Sequence, residues 1–301
     1  MKIHELKGRL PDYIQELRGN EKAMNTIKAY NDDISAFFSW VSDDERELSR
    51  ADVVSYKDSL RQAGRKTSTI NRKVVSINKY LKWAGAVDAA GTKQIKTQTK
   101  ATLENVITRS EYDRLMRAAM NPPRQALAAG LKQDEQLAMV MKTIADTGIR
   151  FSELQYFTVE SVKAAKASRQ ITVYNKGKER AIQLKKQLIK ELLDYCKNKG
   201  ITSGYVFGTR EGNPISNAQL TRRLKKLAGY ARVNKSRAHW HNFRHLFAKT
   251  YMEKYGRIDS LQSILGHSNI NTTTIYTKMS SKEIAAQLDD IDSKPLSYYA
   301  K

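Results

Sequence analysis

The sequence predicts a mainly α-helical chain of two domains with one small β-sheet, an α+β fold class, and three observations predict it. Apolar residues recur at three- and four-residue spacing over most of the chain, which is the period of a helix buried on one face. Around Gln170 the period changes to two: Ile171 and Val173, then Ile182 and Leu184, flank Asn175-Lys176-Gly177-Lys178 as strands flank a hairpin turn. The 301 residues exceed the usual size of one domain, and a polar break falls near the end of the first third.

From Leu10 to Ala86 the helical positions are Tyr13, Ile14 and Leu17, then Ile27, Tyr30, Ile34, Phe37 and Phe38, then Ile70, Val74, Ile77 and Leu81. Pro11 and Asp12 mark a first helix start, and Gly64 is a stop between two runs. Val87 to Asn105, with Gly91 and many Lys, Thr and Gln, has the composition of an extended linker. The domains are therefore placed at 1–90 and 106–280, with a linker over 91–105 and a separate C-terminal segment over 281–301. Ser110 with Glu111 is expected to open a helix through Leu115 and Met116, and Leu137 to Ala145 forms another. After the hairpin, helical patterns resume at Gln187 to Cys196 and run on through Ala218 to Tyr230, with Cys196 on a buried face.

Fifty-three Lys and Arg against 31 Asp and Glu leave a formal charge of +22, which favours a polyanionic partner. One cysteine excludes a disulfide framework within the chain and any multi-cysteine zinc site. There is no Gly-rich phosphate loop, no apolar signal-peptide core and no membrane-length apolar run, so a cytoplasmic protein without nucleotide hydrolysis is expected. Residues 61–100 hold ten Lys and Arg and one acid, and a helix presenting Arg65, Lys66, Arg72, Lys73, Lys79 and Lys82 suits a phosphate backbone. The acid-free run containing Arg222, Arg223, Lys225, Lys226, Arg232, Lys235 and Arg237 is read in the same way, and Lys178 at the hairpin tip joins this DNA-contact set.

Chemistry-bearing residues are concentrated in the second domain. Thr147-Gly148-Ile149-Arg150 places an arginine past a glycine turn at the end of an apolar helix. His241 and Arg244 are three apart and share a face if helical. Leu265-Gly266-His267 follows, and Tyr276 lies nine residues beyond that histidine. His239, His241 and His245 lack a metal-binding spacing, with Trp240 and Phe243 between them as packing residues, so neither metal nor cofactor is expected. Glu153, within one turn of Arg150, is read as its buttress.

In order and spacing these boxes resemble the catalytic domain of the tyrosine recombinases, the family of phage integrases, Xer resolvases and Cre. Thr26 to Trp40 and Ser68 to Trp83 are similar to that family's helical, SAM-like core-binding domain, so the likeness covers nearly the whole chain. It implies a C-shaped clamp on duplex DNA and site-specific cutting, exchange and religation through a 3′-phosphotyrosyl intermediate. It assigns Arg150 and Arg244 to the scissile phosphate, Lys176 to the leaving oxygen, His241 and His267 to proton handling and phosphate contact, and Tyr276 as nucleophile. Two guanidiniums offer fork-shaped, permanently charged donors to the phosphate oxygens. The covalent bond conserves the phosphodiester energy, so religation needs no ATP.

The hairpin has one residue fewer between Lys176 and Lys178 than the Lys-Gly-Xaa-Lys form similar to Xer proteins, which leaves Lys178 as the alternative acid. Phe243 stands where leucine is usual. The resemblance further implies a homotetramer on paired recombination sites, with room for accessory or directionality proteins. A C-terminal stripe of Ile284, Ala285, Leu288 and Ile291 among Glu283, Asp289, Asp290 and Asp292 would then dock on the neighbouring subunit, or else fold back on its own domain. The length leaves no room for an arm-site domain, and Tyr255 to Ser280 looks closer to mobile-element integrases. Integration or excision of a mobile element is therefore expected, with Xer-type dimer resolution, inversion or type IB topoisomerase-like relaxation as alternatives.

Overall fold

The structure, a computed structural model, describes residues 1–41, 45–96, 106–175, 178–209 and 211–266. Chain contacts divide it into two units, Met1–Lys100 and Ala101–Lys301. In the first, α2 (Leu10–Gly19), α3 (Met24–Trp40), α4 (Arg50–Gln62) and α5 (Thr67–Trp83) follow a short α1 (Ile3–Gly8). Ile34, Phe37, Ile77, Tyr80 and Leu81 form a core with no more than 1 % exposure, as the three-four spacing requires. α1 has no counterpart in the sequence reading because six residues are too few to establish a period; tertiary burial of Ile3 and Leu6 holds it.

The composition of 87–105 reads as linker, yet its first part is fastened to α5. Ala89, Ala90 and Thr92 are buried. Asn78 accepts from the Gly91 and Thr92 N–H groups and donates to the Thr92 carbonyl at 2.8 Å, and Asn71 pairs in the same manner with both backbone groups of Ile95. Two asparagine side chains thus satisfy backbone groups that a neighbouring strand would otherwise pair.

The second unit contains α6 (Arg109–Met120), α7 (Arg124–Ala128), α8 (Glu135–Thr147), a 3-10 helix (Phe151–Tyr156), α9 (Val159–Ser168), β1 (Gln170–Asn175), β2 (Lys178–Gln183), α10 (Lys186–Asn198), α11 (Asn217–Tyr230), α12 (Trp240–Tyr255) and α13 (Ile258–Leu265). α8 is central, packed against α6, α10, α11 and α12, and its Leu137, Val140, Met141 and Ile144 are fully buried. Val173 faces Arg180 and Asn175 faces Lys178 across the antiparallel pair, the hairpin that the change of period predicts.

Two sequence expectations need correction. Thr108, not Ser110, caps α6: its hydroxyl accepts from the Glu111 N–H while Glu111 accepts from the Thr108 N–H, and Ser110 lies inside the helix. The helical pattern from Gln187 does not run on to Tyr230. α10 ends at Asn198 before Gly200, whose φ is +67°, and α11 restarts on a capping box of Ser216 with Gln219.

Gly148 ends α8 in the left-handed region at φ +68°, and a Cβ there would stand 2.5 Å from Phe247 Cδ1 and 2.8 Å from Leu265 Cδ2. Backbone handedness and close packing both require glycine. Gly148→Ala is expected to destabilise the second unit by about 2–5 kcal/mol, combining left-handed strain with overpacking. Urea denaturation checks this, and a loss below about 1 kcal/mol would mean the turn relaxes freely.

Candidate active site

Past Gly148 the chain turns into Arg150, which sits in extended conformation ahead of the 3-10 helix. Glu153 reaches back to it: Oε2 accepts from the Arg150 backbone N–H at 2.7 Å and Oε1 accepts from Nη1 at 3.1 Å. The same carboxylate, only 2 % exposed, accepts from Arg180 Nη2 of β2 at 2.7 Å. A buried carboxylate held between two guanidiniums by charge-assisted bonds fixes Arg150 in main chain and side chain together. Glu153 is thus placed as the expected buttress.

α12 brings in the second arginine. Arg244 is 1 % exposed and donates from Nη1 to the Gly148 carbonyl at 2.6 Å and from Nη2 to the Leu265 carbonyl at 2.8 Å. The end of α13 gathers all three arginines: Arg180 donates to the Ile264 carbonyl at 2.7 Å, Arg244 to that of Leu265, and Arg150 Nη2 makes a long contact of 3.5 Å to that of Gly266. Carbonyls left open at a helix C-terminus, at the negative end of its dipole, suit cations. Gly266 is left-handed at φ +63°, and a Cβ on it would stand 2.6 Å from Arg180 Cδ. That explains the glycine of Leu265-Gly266-His267. Lys176, His267 and Tyr276 lie outside the described residues, as do the side chain of Lys178 and the segment 281–301.

His241 is on the first turn of α12, its ring edge-on to His245 with centroids 4.3 Å apart. Desolvation first, then the charges of Arg244, His239 and Arg150, push its pKa below the ordinary 6.5. Its imidazole is therefore neutral at pH 7 and able to take a proton. Because an unfolded chain protonates this histidine more readily than the folded one, stability is complete above about pH 6.5 and is lost as pH falls below it. His241→Gln should flatten the decline in unfolding free energy between about pH 7 and 5. An unchanged slope would assign it elsewhere, first to His239, whose pKa burial also lowers.

The DNA-contact candidates divide. Arg65 and Lys66, just ahead of α5, and Arg72 and Lys79 on it are exposed, and Lys79 lies over the Tyr30 ring. Arg72 and Lys73 both pair with the buried Asp33, at 2.6 and 3.2 Å; Arg72 remains 49 % exposed, but Lys73 at 17 % serves as an internal partner. On α11, Arg222 and Lys225 are exposed on one face of the helix. Arg223 instead pairs with Asp134 and Gln136, which pins α11 to the start of α8.

Arg180 is the site residue the sequence reading missed. Its signal was its parity: two before Ile182 and four before Leu184, it occupies the inward face of β2, where a charged residue needs a buried partner.

The chain matches the phage integrase family over residues 105–283 and the phage integrase N-terminal SAM-like domain over residues 10–86. It belongs to the phage integrase family, the tyrosine recombinases. Relatives include tyrosine recombinase XerA of Pyrococcus horikoshii, 26 % identical over 277 residues covering 91 % of this chain and 89 % of the relative. Tyrosine recombinase XerC of Xanthomonas campestris pv. campestris is 26 % identical, covering 88 % and 82 %. The fold is similar to that of lambda integrase (75–356) bound to a COC′ core site, with a TM-score of 0.71 and 17 % identity over 94 % of this chain and 97 % of that one. XerH bound to palindromic difH gives a TM-score of 0.70 at 16 % identity, covering 93 % and 83 %. No helix among the described residues is long and apolar enough to cross a membrane.

Proposed function

We propose that this protein is a site-specific recombinase that cuts and religates duplex DNA through a 3′-phosphotyrosyl intermediate. The convergence of Arg150 and Arg244 on the Gly148 turn and the end of α13, with the chain leading from Gly266 into His267, carries this reading. The Tyr276 oxygen attacks the scissile phosphorus as its proton passes to a histidine. The bond to the 5′ oxygen breaks, and Lys176 protonates that oxygen as it leaves. Arg150 and Arg244 stabilise the charge developing on the non-bridging oxygens. Religation reverses the steps with a 5′ hydroxyl from the partner strand. Arg65, Lys66, Arg72, Lys79, Lys178, Arg222 and Lys225 are proposed to hold the DNA backbone.

The test is covalent trapping: nicked duplexes carrying candidate sites from DNA flanking the gene are incubated with the protein and examined for an SDS-resistant adduct. Relaxation of supercoiled DNA lacking any site would instead favour topoisomerase-like action. The proposed biological use is integration or excision of a mobile element. Xer-type resolution is the second reading, favoured by the names of the sequence relatives. A trapped site at the junctions of a mobile segment supports the first, and a single replicon site the second.

Assembly is proposed to be a tetramer on paired sites. Beside α12, a pocket of about 460 Å³ has an apolar lining that includes Leu246, Phe247, Tyr251 and Ile264, with Arg169 and Lys254 among its cations, while Lys142 and Lys185 pair with Asp146 of the same lining. The acidic, apolar-striped segment 283–292 complements it in both respects. Deleting residues 282–301 should leave DNA binding intact and weaken synapsis in a two-duplex gel-shift assay; unchanged synapsis would rule out docking in trans.

A further inference from the structure

We infer that Arg180 is a positioning residue for leaving-group protonation, mooring the lysine-tipped hairpin to the helical turn that carries Arg150. The inference rests on the catalytic reading above. A two-stranded hairpin is marginal by itself, so its attachments decide where its tip stands. β1 is attached where the Tyr156 hydroxyl donates to the Tyr174 carbonyl at 2.9 Å. β2 is attached through Arg180, four residues from Lys176: Nη2 and Nε donate to Glu153 at 2.7 and 3.4 Å, and Nη1 donates to the Ile264 carbonyl at 2.7 Å. Tyr156 and Glu153 belong to one 3-10 helix, the one that begins beside Arg150. One rigid turn therefore presents the phosphate arginine and anchors both strands of the hairpin. The Arg180 side chain is only 15 % exposed and lies opposite the fully buried Val173, so the guanidinium is fixed by its acceptors and not by solvent. Glu153 keeps two bonds to Arg150 when Arg180 is removed, so the phosphate arginine stays held while β2 keeps the core packing of Ile182 and loses its polar ties near the tip.

A sulfur leaving group separates hairpin positioning from general structural support. In a duplex with a 5′-bridging phosphorothiolate at the scissile position, Tyr276 Oη bonds to phosphorus, the P–S bond breaks, and the thiolate departs with the electron pair without needing a proton. Cleavage of this duplex and of its oxygen counterpart is compared for the wild type, Arg180→Met, Arg180→Lys, Lys176→Ala and Lys178→Ala, with DNA affinity measured in parallel. Arg180→Met should lose about 100-fold on oxygen, the scale of an ångström misplacement, and recover most of it on sulfur with affinity unchanged. The lysine variant whose residue donates the proton should behave in the same way. If Arg180→Met fails to fold, Arg180→Lys supplies the same oxygen-to-sulfur ratio. Equal losses on both substrates, or none on either, overturn the inference while sulfur rescue of a lysine variant leaves the catalytic reading standing. If sulfur rescues neither lysine variant, the hairpin supplies no leaving-group proton, and the catalytic assignment falls together with the inference.

Discussion

Tyr276→Phe is expected to abolish the covalent protein–DNA adduct and strand exchange while leaving DNA affinity within about twofold, since backbone contacts dominate affinity. Phenylalanine keeps the ring and removes the one oxygen that can bond to phosphorus, so no other feature of the site compensates. Loss of a nucleophile from a catalytic unit is worth on the order of 10⁶ in rate, which places residual cleavage below detection in a trapping gel. The phenol, with an ordinary pKa of about 10, is a weak nucleophile at neutral pH unless a base and a positive field assist it. The neutral His241 imidazole and the guanidiniums of Arg150 and Arg244 are proposed to provide both. An adduct that persists in Tyr276→Phe would move the nucleophile to another of the fifteen tyrosines, and peptide mapping of that adduct would locate it.

Arg244→Ala is expected to fail twice, in chemistry and in folding. Losing a preorganised donor to the phosphate costs about 3–4 kcal/mol of barrier, or 10²–10³ in single-turnover cleavage. Arg244 also donates to the Gly148 and Leu265 carbonyls in the interior, and each acceptor left without a partner costs about 1–3 kcal/mol of stability. Arg150→Ala provides the contrast: its side chain is 33 % exposed and its main partner, Glu153, keeps Arg180, so it should lose a similar factor in rate with much less stability. Cleavage kinetics beside urea denaturation of both variants test the pair. Equal stability losses would mean that the carbonyl anchoring of Arg244 carries no special weight.

The helices were legible where apolar spacing repeated over three or more turns, as at Ile70, Val74, Ile77 and Leu81, because the face that must be buried imprints its period on the sequence. α1 was too short to carry a period, and the start of α6 was misread because Thr108 and Ser110 are both plausible caps by composition. Only backbone geometry chose between them. The strap over 89–96 read as linker because its hydrogen bonds come from Asn71 and Asn78, far away in sequence.

The same division runs through the candidate site. Order and spacing in the sequence carried the family resemblance and the hairpin with its basic tip, and the resemblance in turn implied roles for Arg150, His241, Arg244, His267 and Tyr276. Tertiary structure decided which charges face solvent and which are spent internally. Lys73 and Arg223 read as phosphate contacts but pair with Asp33 and Asp134, and Arg180 read as an ordinary strand residue but joins Glu153 to the end of α13. A charge in one dimension has no partner until the fold brings one within hydrogen-bonding reach, and burial then makes that pairing obligatory.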